Sequence, residues 1–152
     1  MTIFTVMSKL AAESNAINLS QGFPDFCCSE ELIDLAHQYM KKGMNQYAPM
    51  QGVPVLRERI SEIIESLYGT NYHPDTEITI TAGATQGIYT AISAFVEEGD
   101  EVVIIEPAYD CYAPAVEVNG GKPVYVQLNP KDFSIDWSAV KKVIGRKTKM
   151  II

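Results

Sequence analysis

The sequence of 152 residues has little positive charge and no long hydrophobic run. Its 12 lysines and arginines face 19 acidic residues, for a formal charge of −7, and they form no basic stripe with interleaved aromatic residues. Nucleic acids and anionic membranes both attract basic surfaces. No window approaches the roughly 20 apolar residues that a membrane-spanning helix needs. We therefore expect neither a nucleic-acid partner nor a membrane partner.

Cysteine and histidine are also scarce. The three cysteines, Cys27, Cys28 and Cys111, are an odd number with one adjacent pair, which is a poor disulfide framework. No CxxC motif or histidine-rich spacing indicates a metal site. The N-terminus lacks the basic segment and apolar run of a signal peptide. We expect reduced thiols, no metal and a cytoplasmic location, with Cys27 and Cys28 as small packing residues.

Two helices are predicted in the first half of the chain. Ser29 is a suitable N-cap for the first, the acidic Glu30 and Glu31 follow it, and Gly43 can end the helix. The second helix is expected to begin at Pro54 and to stop at Gly69. Its apolar face consists of Leu56, Ile60, Ile63, Ile64 and Leu67.

The second half of the chain alternates between strands and helices. Strands are predicted over residues 77–81, 101–106, 123–126 and 149–152, and helices over 88–96, up to Val116, and over 137–144 with Asp136 as the cap. Apolar strands alternating with helices are typical of an α/β fold with a parallel sheet. The sequence ends inside an apolar strand, and we therefore expect a truncated chain.

Two turns of this α/β region could bind a ligand. Gly83-Ala84-Thr85 lies between a strand and a helix, where unpaired N–H groups and the helix dipole favour a phosphate. Tyr109 follows the strand over 101–106, at the sheet edge where ligands of α/β proteins bind, and could stack on a flat ring. The alternatives are a plain turn of small residues and a tyrosine that covers the sheet edge.

Two further loops stand out in the first part of the chain. Residues 45–52 hold Tyr47 in a segment with proline and glycine, and residues 19–25 hold Gly22 and Phe23 in a similar one. From the residues alone, an ordinary surface connection explains the first loop and an ordinary turn explains the second.

Taken together, the motifs resemble those of a known enzyme family. The segments are AINLSQGFPDF, NQYAPMQGVPVLRERI, ITITAGATQGIY and GDEVVIIEPAYDCYAP. They resemble class I/II aminotransferases of fold type I, which depend on pyridoxal 5'-phosphate (PLP), and within that class the methionine and kynurenine aminotransferase group. The resemblance implies a large domain with a mostly parallel sheet flanked by helices. Residues 46–152 would begin that domain, and residues 1–45 would form an N-terminal arm and part of a smaller α+β domain.

The resemblance also assigns roles around the cofactor. Gly83 and the backbone N–H groups of Ala84 and Thr85 would hold the PLP phosphate, and Tyr109 would stack on the pyridine ring. Tyr47 would donate its hydroxyl to the phosphate of the partner subunit's PLP, which implies a homodimer with shared active sites. The family's Schiff-base lysine would lie downstream of this sequence, so that no catalytic residue is assigned within it.

The resemblance implies a substrate and a reaction as well. The N–H of Gly22 would bind the α-carboxylate of the substrate, and Phe23 would lie beside its side chain. The expected reaction moves an amino group from methionine, or from an aromatic amino acid, to a 2-oxo acid by a ping-pong mechanism. The alternatives are a kynurenine aminotransferase or cysteine-S-conjugate β-lyase of the same family and, in another class, a non-catalytic phosphate-binding α/β domain.

Overall fold

The computed structural model describes residues 2–22 and 24–152, and the chain divides into two compact units, Met1–Pro49 and Met50–Ile152. The described residues form α1 (Ile3–Glu13), α2 (Glu30–Lys41), α3 (Pro54–Tyr68), α4 (Ala84–Phe95), β1 (Glu101–Glu106), α5 (Tyr112–Val118), β2 (Lys122–Gln127), α6 (Trp137–Val143) and β3 (Thr148–Ile151). None of these described helices has the length and apolar character to cross a membrane. The expected domain division into 1–45 and 46–152 stays a prediction.

Helix α1 of the first unit was not predicted. Its N-cap is Thr2, whose hydroxyl accepts a hydrogen bond from the N–H of Thr5 at 3.3 Å. The following loop returns to the helix, since the side-chain amide of Asn18 donates to the hydroxyl of Ser8 at 3.0 Å. The segment expected to be an N-terminal arm therefore begins with a capped helix.

Helix α2 begins where the sequence predicts. Ser29 occupies the N-cap position, but its hydroxyl makes no capping hydrogen bond. The positive end of the helix is instead stabilised by the acidic first turn of Glu30 and Glu31. Cys27 and Cys28, just before the helix, are exposed, so their interpretation as packing residues is wrong.

The second unit is built on a parallel sheet, as predicted. The strand order is β2-β1-β3, and both pairings of β1 are parallel. The central strand is apolar because both of its faces are covered: Val102, Val103 and Ile104 are at most 1% exposed. The carboxyl ends of the strands meet at one edge of this sheet.

Helices cover the two faces of the sheet. On one face, α4 and α5 pack against β1 through Ile92, Val96, Val102, Ile104, Ala115 and Val116. On the other face, α6 packs through Val103, Val126 and Val140. The alternation of β1 side chains thus connects two separate cores.

The predicted cap of α6 is confirmed. The carboxylate of Asp136 accepts hydrogen bonds from the N–H groups of Ser138 at 2.9 Å and Ala139 at 3.2 Å. The side chain and backbone of Ser138 and the backbone of Ala139 lower the pKa of this carboxyl group. The helix start is therefore held by a charged acceptor at neutral pH.

One strand and one helix start were predicted wrongly. Residues 77–81 form no strand, although the N–H of Ile80 donates to the carbonyl of Gln51 at 3.0 Å. A ladder needs a paired neighbour along its length, and alternation of apolar residues does not supply one. Helix α4 begins at Ala84 and not at Ile88, so the small-residue turn forms its first helical turn.

Helix α3 has the predicted ends and an unexpected buried side. It starts at Pro54 and stops at Gly69, whose φ of +67° is left-handed. Three of the five side chains expected to pack are largely exposed, at 47% for Leu56, 56% for Ile63 and 68% for Leu67, while Ile60 and Ile64 are half-buried. The buried residues of this helix are polar.

Arg57 and Ser61 are the buried side chains of α3. The guanidinium of Arg57 donates to the carbonyl of Gly52 at 3.3 Å, to the carbonyl of Pro74, and to the Oδ1 atom of Asp75 at 3.0 Å. Ser61 donates to a carbonyl of the same following loop. These hydrogen bonds satisfy the buried groups and attach the loop to the helix.

Candidate functional site

The turn before α4 leaves helix donors without partners. Gly83 is the N-cap with φ of +88°, a conformation that favours glycine, and it has no side chain with which to cap the helix. Ala84 and Thr85 are the first two helical residues, so their N–H groups have no intrahelical acceptor. They lie at the positive end of the helix dipole, where an anion binds favourably.

The structure brings this turn together with Tyr109. The phenolic oxygen of Tyr109 lies 3.5 Å from the hydroxyl oxygen of Thr85, although the two residues come from different elements. The Tyr109 ring is 47% exposed and meets Tyr112 edge to face, with centroids 6.0 Å apart. A helix start that favours an anion and an accessible aromatic ring therefore adjoin at the carboxyl end of β1.

Cys111 is a neighbour of this site that the sequence did not single out. Burial and the negative charge of Asp110 raise the pKa of its thiol, while its own backbone and the Thr85 hydroxyl lower it less. The thiol is therefore protonated at neutral pH. Its position becomes visible only when α5 is placed beside α4.

An apolar cleft of about 550 Å³ lies beside the same turn. Its lining residues come from α4, α5 and the turns before them: Ala82, Thr85, Gln86, Tyr89, Cys111, Pro114, Ala115 and Val118. Among the residues that the structure describes, no cluster of three or more histidine, cysteine or acidic side chains could hold a metal. The groups at this site can donate hydrogen bonds, through the N–H groups of the helix start, and can make aromatic contacts, through Tyr109.

The other predicted site residues belong to the first unit. Tyr47 is fully exposed, and Gly22 lies in a segment without helix or strand, where an added Cβ would meet nothing within 4 Å. Phe23 lies outside the described residues. The structure therefore brings together Gly83, Ala84, Thr85 and Tyr109, while the roles expected of these residues and of those in the first unit stay predictions.

The fold and this turn define a parallel α/β protein with a helix start suited to a phosphorylated ligand. The sequence pattern of the family described as "Aminotransferase class I and II" matches residues 14–152, and the chain belongs to this family. Its members depend on PLP, so the resemblance seen in the sequence motifs and the fold class that it implied are confirmed.

Three curated relatives with different substrates in their names are similar to this chain. The chain is 46% identical to a methionine aminotransferase of Escherichia coli (strain K12) over 151 residues, which is 99% of this chain and 39% of the relative. It is 38% identical to a probable N-succinyldiaminopimelate aminotransferase of Mycobacterium tuberculosis, over 99% of this chain and 38% of the relative. It is 40% identical to human kynurenine–oxoglutarate transaminase 1, over 80% of this chain and 29% of the relative.

A solved structure matches the fold closely. The crystal structure of an Escherichia coli protein with an identified methionine aminotransferase function superposes with a TM-score of 0.93 at 46% identity, over 99% of this chain and 40% of that one. The chain thus spans about two fifths of the length of the relatives that it matches.

Proposed function

We propose that the complete protein is a PLP-dependent aminotransferase that moves the amino group of an amino acid to a 2-oxo acid. The observation that carries the proposal is the contact between Thr85 and Tyr109, because it joins an anion-binding helix start to a planar ring. Family membership agrees with this reaction class. Methionine is the proposed donor because the 46%-identical relative is a methionine aminotransferase, with aromatic amino acids as companions.

The residues at the turn fit a phosphorylated pyridine. The N–H groups of Ala84 and Thr85 would bind the phosphate, and the Thr85 hydroxyl would add a donor. Gly83 leaves the approach open, since a Cβ there would meet nothing within 4 Å. Tyr109 would lie against the ring plane. When bound, PLP supplies the electron sink for amino-group transfer, and the part of these residues is to hold the phosphate and orient the ring.

The remaining assignments concern the substrate and the assembly. Gly22 would bind the α-carboxylate through its N–H, Phe23 would contact the substrate side chain, and the two half-reactions would follow a ping-pong order. Tyr47 would reach the phosphate in the partner subunit, which makes the working form a homodimer. We place the protein in the cytoplasm, in keeping with its three free thiols.

Spectroscopy of the full-length protein tests this function. We expect titration with PLP to produce a visible absorbance band that shifts when methionine is added, together with keto-acid product in the presence of a 2-oxo acid. Absence of any PLP band would sink the proposal and favour a non-catalytic phosphate-binding domain. Faster release of pyruvate and ammonia from a cysteine conjugate would instead identify a β-lyase, and faster turnover of kynurenine would identify a kynurenine aminotransferase.

Substitution Tyr47→Phe tests the shared site. Loss of a hydrogen bond to a charged phosphate is expected to weaken PLP binding about tenfold, as measured by fluorescence titration of the apoenzyme. Tyr39→Phe is the matched control, because Tyr39 is an exposed tyrosine of the same unit that contacts Lys42. Equal PLP affinity in the two variants would remove Tyr47 from the site.

A further inference from the structure

The turn before α4 is fastened by its own side chains. The side-chain oxygen Oε1 of Gln86 accepts a hydrogen bond from the N–H of Ala82. The hydroxyl of Thr81 donates to the carbonyl of Gly83 at 3.0 Å, and the N–H of Gly83 donates to the carbonyl of Thr81 at 2.8 Å. Residues on both sides of Gly83 therefore hold its positive-φ conformation in place.

This arrangement differs from an ordinary capping box. In a capping box, the N-cap side chain bonds to the helix and the third helical residue bonds back to the N-cap N–H. Here the N-cap is Gly83, and Gln86, the third helical residue, reaches one residue further back to Ala82. The turn is thus closed while the N–H groups of Ala84 and Thr85 are left for a ligand.

Gly87 lies beside this arrangement without being required by it. A Cβ at this position would lie 3.4 Å from the hydroxyl oxygen of Thr81, which is ordinary van der Waals contact. Two residues outside the expected binding positions, Thr81 and Gln86, therefore act on the conformation of the turn.

We propose that Gln86 is a positioning residue for the cofactor phosphate, acting through the N–H of Ala82 to hold the N–H groups of Ala84 and Thr85 in their binding orientation. This inference rests on the proposed function. A ligand that meets a preformed turn does not have to order it, so the fastening contributes to affinity without any contact to the ligand. Without the Gln86 acceptor, the Ala82 N–H loses its partner and the turn gains other conformations.

The test compares two ligands that differ only in the phosphate group. Full-length apoenzyme is titrated with PLP and with pyridoxal, which lacks the phosphate. Gln86→Met keeps the length of the side chain and removes the acceptor, and it is expected to weaken PLP binding about fivefold while leaving pyridoxal binding unchanged.

The control is Tyr89→Phe, which changes a residue of the same helix and cleft outside the turn. Thermal unfolding of each apoenzyme shows that the variants are folded. The inference is overturned if Gln86→Met weakens PLP and pyridoxal equally, since the defect is then general, or if it weakens neither. Wild-type protein that binds no PLP at all contradicts the proposed function itself, and so the two failures are distinguishable.

Discussion

Replacement of Gly52 with alanine is expected to destabilise the protein by about 4 kcal/mol. The φ of Gly52 is +99°, a conformation that an L side chain rarely adopts. An added Cβ would also lie 2.3 Å from Cγ1 and 2.7 Å from Cβ of Ile80, well inside van der Waals contact. Ile80 is held at this place because its N–H donates to the carbonyl of Gln51. Urea unfolding of wild type and variant measures the difference.

The matched control separates backbone strain from overlap. Gly69→Ala introduces the same methyl group at a φ of +67°, but nothing lies within 4 Å of the added atom. Its expected cost is only the backbone term, about 1 kcal/mol. Similar losses of stability in the two variants would show that Ile80 moves aside and that the close approach is unimportant.

Substitution Thr85→Asp is expected to weaken PLP binding at least about 100-fold without loss of apoenzyme stability. The carboxylate would stand where the phosphate is proposed to bind, and two like charges about 4 Å apart repel strongly near a protein surface. The same carboxylate is favourable in the first turn of α4, because it faces the positive end of the helix dipole. Affinity and stability should therefore move in opposite directions.

Thr90→Asp supplies the control for added charge. Thr90 is exposed on the same helix, so this variant carries the same extra negative charge away from the turn. It is expected to bind PLP within about twofold of wild type, because the charge is exposed and lies five residues along the helix from Thr85, about 7.5 Å, which is close to the Debye length of about 8 Å at physiological salt. Equal weakening in both variants would mean that the helix start is not the phosphate site.

The backbone elements that local chemistry determines were predicted well. Helix α3 has proline at its first position and glycine just beyond its last, and Asp136 caps α6 with its carboxylate. The central strand β1 was recognised from its nearly continuous apolar residues. The strand needs such residues because both of its faces are covered. In each of these cases the residues that decide the structure are neighbours in sequence.

The wrong predictions concern segments whose structure is determined by contacts with residues that are distant in sequence. Residues 77–81 alternate like a strand, but ladder pairing depends on neighbours that no local pattern reports. Burial of Arg57 depends on the carbonyl of Pro74, which lies 17 residues away. From the sequence alone, an arginine among apolar residues is expected at the surface. Arg57 is buried because the loop that carries Pro74 folds over it.

The candidate site divides in the same way. Gly83, Ala84, Thr85 and Tyr109 were found from their motifs, yet the 3.5 Å approach of two of them required the folded sheet. The hydrogen bond of Gln86 to the N–H of Ala82 was not predicted, because it depends on the backbone conformation at the N-cap, which a glycine in the sequence permits without specifying. The family resemblance suggested roles for the cofactor-binding residues, but it did not indicate the hydrogen bonds of Thr81 and Gln86 that stabilise the turn.

The approach of Thr85 to Tyr109 has a consequence for folding. The two residues are 24 positions apart and belong to segments on either side of β1. A ligand bound by both would cross-link those segments only in the folded state, and its free concentration would then add to the free energy of unfolding by mass action. At a low free concentration of the proposed cofactor, less of the protein would therefore be folded, as well as less of it loaded with cofactor.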